Sequence, residues 1–175
     1  MTVAEQLTPQ ERLQPALLDR LTDDEPEKKE ELRKHRVFAK ERLREAVLRD
    51  LAWLFNATRL ERGDDMSHVP DARRSVINFG LPAHAGQTAS SLEIQDVEQD
   101  IKQAIIAFEP RILPETLEVK AIAELSDLDR HNVLGIQIRG LLWAQPVPLE
   151  LLLRTEIDLE TGKVQVADLA PSRVS

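Results

Sequence analysis

Leu151-Leu152-Leu153-Arg154-Thr155-Glu156-Ile157-Asp158-Leu159, then Glu160-Thr161-Gly162-Lys163, then Val164-Gln165-Val166, reads as a strand, a turn and a second strand. Leu151, Leu153, Thr155, Ile157 and Leu159 recur at every second position, and successive side chains of a strand point to opposite faces. Residues 160–163 carry the glycine that a tight hairpin needs. The same alternation recurs upstream. Leu134, Ile136, Ile138 and Leu142 form one run, and Leu117, Val119, Ala121, Ala123 and Leu125 form another. The C-terminal half is therefore expected to be a run of antiparallel strands.

Further upstream the period changes from two to three and four. Leu43, Ala46, Val47, Leu51, Leu54 and Phe55 lie on one face of a helix expected within residues 27–58. Ile94, Val97, Ile101, Ala104, Ile105 and Phe108 do the same within 91–108. Ser91 is the expected N-cap of this second helix, and Glu93 and Asp96 suit the positive end of its dipole. Pro110 ends it, because the residue before a proline avoids helical backbone. Helices followed by strands imply an α+β fold, with two main helices packed on one face of a small, mostly antiparallel sheet. Residues 1–26, broken by Pro9, Pro15 and Pro26, read as an N-terminal arm, and residues 27–175 as a single α+β domain.

The arm carries Leu13, Ala16, Leu17, Leu18 and Leu21 ahead of the acidic run Asp23-Asp24-Glu25. It is either a solvated tail or a short amphipathic anchor that docks on a partner. Residues 59–90 form a long connection punctuated by Gly63, Pro70, Gly80, Pro82 and Gly86. Within it, Ser75-Val76-Ile77-Asn78-Phe79-Gly80-Leu81-Pro82 is too apolar for a free loop, so it is expected to be functional or packed down.

Composition narrows the function. Hydrophobic residues make up 42% of the 175, enough for a core. Aromatic residues are 3% with no Tyr, which argues against a stacking platform for bases or sugars. A net charge of -8 argues against a general nucleic-acid surface. The absence of Cys excludes disulfides, thiol catalysis and Cys-ligated zinc, and fits a cytoplasmic protein. No apolar stretch is long enough to span a bilayer, and residues 1–5 lack the basic, apolar start of a signal peptide. His35, His68, His84 and His131 lack the helical pairing of a zinc site. No phosphate loop or nucleophile elbow is present, so neither a cofactor nor an enzymatic activity is expected.

Two short features stand out. Phe108-Glu109-Pro110-Arg111-Ile112 holds an acid and a base on either side of a rigid turn. This is either a local ion pair at a helix C-terminus or a charged prong, projecting outward, for another subunit. Leu142-Trp143-Ala144-Gln145-Pro146-Val147-Pro148-Leu149 is a stiffened connection between strands, with Trp143 expected as a core or lid residue.

These features together resemble the TssE family of type VI secretion baseplate proteins. The match runs in order through Leu17-Leu18-Asp19-Arg20-Leu21-Thr22-Asp23-Asp24-Glu25-Pro26, Val47-Leu48-Arg49-Asp50-Leu51, Ser75 to Pro82, Phe108 to Ile112, Leu142 to Pro148, and Asp158-Leu159-Glu160-Thr161-Gly162. Phe79 stands where Tyr is usual, Ile77 where Leu is, and Ala57 where Asn is commoner. The resemblance implies a non-catalytic wedge subunit that sits beside TssF, TssG and TssK and starts assembly of the TssB/TssC sheath. It implies protein contacts by Glu109, Pro110 and Arg111. Leu17, Leu18 and Leu21 of the arm, and Trp143, are further candidate contact residues. A regulatory module of the anti-adaptor type, sharing the fold, is the alternative, and a cell-wall hydrolase the third reading.

Overall fold

The computed structural model describes residues 17–21, 40–60, 68–73, 75–83, 94–122, 133–144 and 147–169. Helix α1 spans Leu17–Leu21, α2 Lys40–Asn56, α3 Pro70–Arg73 and α4 Ile94–Phe108. Strand β1 spans Glu118–Ile122, β2 Val133–Leu142, β3 Leu149–Asp158 and β4 Val164–Asp168. The strands form one antiparallel sheet in the order β1-β2-β3-β4. The expected α+β class and helix-on-sheet layering are what the chain adopts. Residues 27–39, the arm on both sides of α1, and Ser91 lie outside the described residues.

The register explains why the sheet buries one face. Ile138 pairs with Leu153 on one side and Val119 on the other. Ile136 pairs with Thr155, which pairs with Val166. These residues share the face on which α4 covers β1 and α2 covers β4. Val47, Leu51, Ile101, Ile105, Ile136, Ile138, Leu153 and Ile157 close that core. The opposite face carries Lys120, Gln137, Arg139, Arg154 and Glu156. One apolar face against one polar face is the ordinary state of an antiparallel sheet covered from one side.

The helices also guard the sheet edges. Val164 N–H donates to Asn56 Oδ1 at 3.0 Å, and Asn56 Nδ2 donates to Val164 O at 2.9 Å. The amide of Asn56 thus imitates one residue of a fifth strand on β4. On the other edge Ala121 N–H donates to Glu98 Oε1 at 2.6 Å. Arg44 of α2 grips the end of β4 through both oxygens of Asp168 and donates to Glu150 O at 2.9 Å.

The described part of the long connection around Ser75 to Leu81 is held by turns and packing, as expected of its apolar content. Ser75 caps a 3-10 turn over Val76–Asn78, accepting from Ile77 N–H. Asn78 is buried and donates to Arg73 O at 3.1 Å. Phe79 packs edge-on against Phe108 with ring centroids 5.2 Å apart, so the position usually held by Tyr serves here as an apolar contact. Gly80 adopts φ +123 and passes so near Ala57 that a Cβ would lie 2.3 Å from its carbonyl oxygen. Leu81 then bonds back to both Ala57 and Arg59. Val76 and Ile77 are left facing solvent.

Candidate functional site

Beyond Phe108 the chain turns at Pro110 and runs beside the end of β2. Leu113 N–H donates to Leu141 O at 2.9 Å and Trp143 N–H to Arg111 O at 2.7 Å. Ile112 and Leu142 are paired and buried. Arg111 and Trp143 are therefore directly opposite each other and point away from that buried pair. Two features far apart in sequence meet here because the Glu-Pro-Arg turn is stitched to the strand end.

Glu109 does not project outward as the helix-end position suggested. It is 3% exposed, and its carboxylate is wrapped by Arg111. Oε1 accepts from Arg111 Nε at 2.6 Å and from Arg111 N–H at 3.2 Å, and Oε2 accepts from Arg111 Nη2. A planar guanidinium matches a carboxylate in this two-pronged way. Pro110 makes it local, since its fixed φ folds Arg111 back over the residue two before it. Pro110 itself is exposed.

The pair does not end there. Arg111 Nη2 also donates to Asp50 Oδ2 on α2. Asp50 Oδ1 accepts from Arg49 Nε at 2.9 Å, and Arg49 Nη1 donates to Asp19 Oδ1 on α1 at 2.7 Å. Glu109, Arg111, Asp50, Arg49 and Asp19 thus form a chain of alternating charge across three parts of the fold. Burial disfavours the charge on Arg111, but the bonds and charges of Glu109 and then Asp50 outweigh it and hold the guanidinium above its ordinary range. Arg49 is shifted upward too: burial lowers it, and Asp19 and Asp50 more than compensate. Both remain cationic at every pH a folded protein meets.

Around this chain lie exposed apolar side chains. Trp143 is 45% exposed, so it is not a core residue. Trp53, one turn beyond Arg49, is 53% exposed and lies under the Arg49 guanidinium at 5.1 Å. Leu17 and Leu21 are 69% and 73% exposed, and Leu18 also faces solvent. Arg111 and Trp143 are thus cross-strand neighbours, and the ion chain leads from Arg111 to the helix that bears Leu17, Leu18 and Leu21. Asp19, Arg49, Asp50 and Trp53 were not singled out from the sequence. The available signal was Arg49 and Trp53 at four-residue spacing on the helix side away from the core stripe.

Among the described residues no group of three or more His, Asp or Glu side chains is placed to hold a metal ion. Among them, too, no helix is long and apolar enough to cross a membrane. Residues 41–147 match the family model described as baseplate wedge protein gp25. That span is well over half the chain and takes in α2, Asp50, the Glu-Pro-Arg turn and Trp143. No curated protein matches the chain, and no solved structure does.

Proposed function

The chain belongs to the baseplate wedge protein gp25 family, and from that membership we propose that it is the TssE-type wedge subunit of a type VI secretion baseplate. In this reading it assembles in the cytoplasm with TssF, TssG and TssK and starts polymerisation of the TssB/TssC sheath, without catalysis. The observation that carries the reading is the family match across both helices and the turn between them and the sheet. The composite surface of Pro110, Arg111, Trp143 and the α1 leucines supports a wedge contact, because it joins exposed apolar area to a preorganised charged core.

The sheet edges support a second contact. Asp158 N–H donates to Lys163 O and Leu169 N–H to Leu152 O. By alternation the backbone of Val166 faces away from β3, just beyond the Val164 groups that Asn56 occupies. A sheath strand adding there would bond to the β4 edge through its backbone. The test is sheath formation in cells carrying a fluorescent sheath subunit. Removing this protein is expected to abolish sheaths, and restoring it to recover them. Sheaths that form normally without it would defeat the proposal.

A further inference from the structure

Helix α1 has five residues, LLDRL, and a helix of that length does not hold itself together in water. Its leucines contribute little burial, since Leu17 and Leu21 are largely exposed and Leu18 is half-exposed. The side chain turned inward, toward α2, is Asp19, 7% exposed and bonded to Arg49 at 2.7 Å. This reverses the ordinary rule, in which a surface helix buries its apolar stripe and shows its charges. Burying a carboxylate is costly unless a cation meets it, so the Asp19–Arg49 pair accounts for the helix lying as it does. Asp50 holds Arg49 from the other side and is itself shared with Arg111.

We propose that the Asp19–Arg49 pair is an ionic latch that sets α1 leucine-side outward, and that Leu17, Leu18, Leu21 and Trp53 then form a docking surface for an apolar segment of a partner protein edged with Lys or Arg. This rests on the assembly role proposed above. The partner's charge follows from the local balance. The ion chain contains three carboxylates against two guanidiniums, and the sequence around α1 adds Asp23, Asp24 and Glu25 against Arg20. Trp53, held under the same Arg49 that bonds Asp19, adds an exposed aromatic side chain beside the latch. The latch therefore ties the Glu-Pro-Arg turn, α1 and the partner surface into one unit.

The chain has no Cys, so a Leu17→Cys variant carries a nitroxide label at one position only. In the full-length protein the label is expected to be immobilised, and to become mobile when Asp19→Ala is added, with the core melting unchanged. Asp50→Asn, which loosens Arg49 from behind, is expected to free the label in part. In unlabelled protein, Asp19→Ala and the pair Leu17→Ser with Leu21→Ser are each expected to weaken binding to purified wedge subunits at least tenfold. A label equally immobile with and without Asp19 overturns the latch. Unchanged binding in the leucine variant overturns the docking surface. A wild-type chain that binds no wedge subunit overturns the assembly role and the docking surface with it, while the label comparison still decides the latch.

Discussion

Arg111 serves two carboxylates, one on its own turn and one on α2, and that arrangement decides what its loss does. Replacing it by Ala leaves Glu109 buried with only a backbone N–H. Removing one partner of a buried pair costs about 3–5 kcal/mol. Arg111 keeps 23% exposure, and solvent reduces this to about 2–3 kcal/mol. We therefore expect Arg111→Ala to lower the melting temperature as well as to weaken wedge binding. Removing both charges together, as Glu109→Leu with Arg111→Met, is expected to cost less stability than Arg111→Ala alone, because no charge is stranded. Thermal melts of the two variants check this. If the double variant is the less stable, the pair is not the internal clamp described here. At the far end of the sheet, Asp158 Oδ1 accepts from the N–H of Glu160 and Thr161. Those backbone donors, Thr161 first, lower its pKa. A depressed carboxylate stabilises the fold above its ordinary value of about 3.9 and loses that contribution as pH falls through the depressed one. The melting-temperature gap between wild type and Asp158→Ala is thus expected to be widest near pH 5 and to shrink toward pH 2. A gap that holds constant over that range would show that the hairpin does not depend on the ionised carboxylate.

Helices and strands were legible where their periodicity was strong. The stripe from Leu43 to Phe55 and the alternation in β2 and β3 are the core that forms. The short elements were not legible, because their cause is tertiary. The turn at Val76–Asn78 exists because Ser75 caps it and Asn78 finds Arg73 O, and neither partner is marked by spacing. The inward turn of Glu109 was hidden for the same reason: an acid next to a helix end ordinarily faces water. Gly80 shows how tightly the connection is built. Its positive φ and its contact with Ala57 leave no room for a side chain. Gly80→Ala is expected to destabilise by at least about 2 kcal/mol, combining backbone strain with a clash. A denaturant midpoint equal to that of wild type would refute this. Asn56 and Glu98 belong to the same scale. Each lends one side chain to a sheet edge, and Asn56→Ala is expected to expose the Val164 backbone and raise aggregation measured by light scattering. An unaltered scattering profile would show that this edge needs no guard.

At the scale of the molecule, one layer of helix and one of sheet are closed by an apolar core, while an ion chain links α1, α2 and the Glu-Pro-Arg turn. Catalysis needs a poised acid, base or nucleophile beside a substrate cleft. The charges gathered here are instead arginines and acids that pair with one another and fix geometry, which suits a structural component of the baseplate wedge family. A tagged full-length chain expressed with TssF, TssG and TssK is the most direct trial of that claim, with recovered proteins identified by mass spectrometry. The chain is expected to return in fixed proportion with wedge subunits, and Arg111→Ala and Asp19→Ala to reduce the yield. A chain recovered alone, with the wedge subunits assembling fully in its absence, would contradict it.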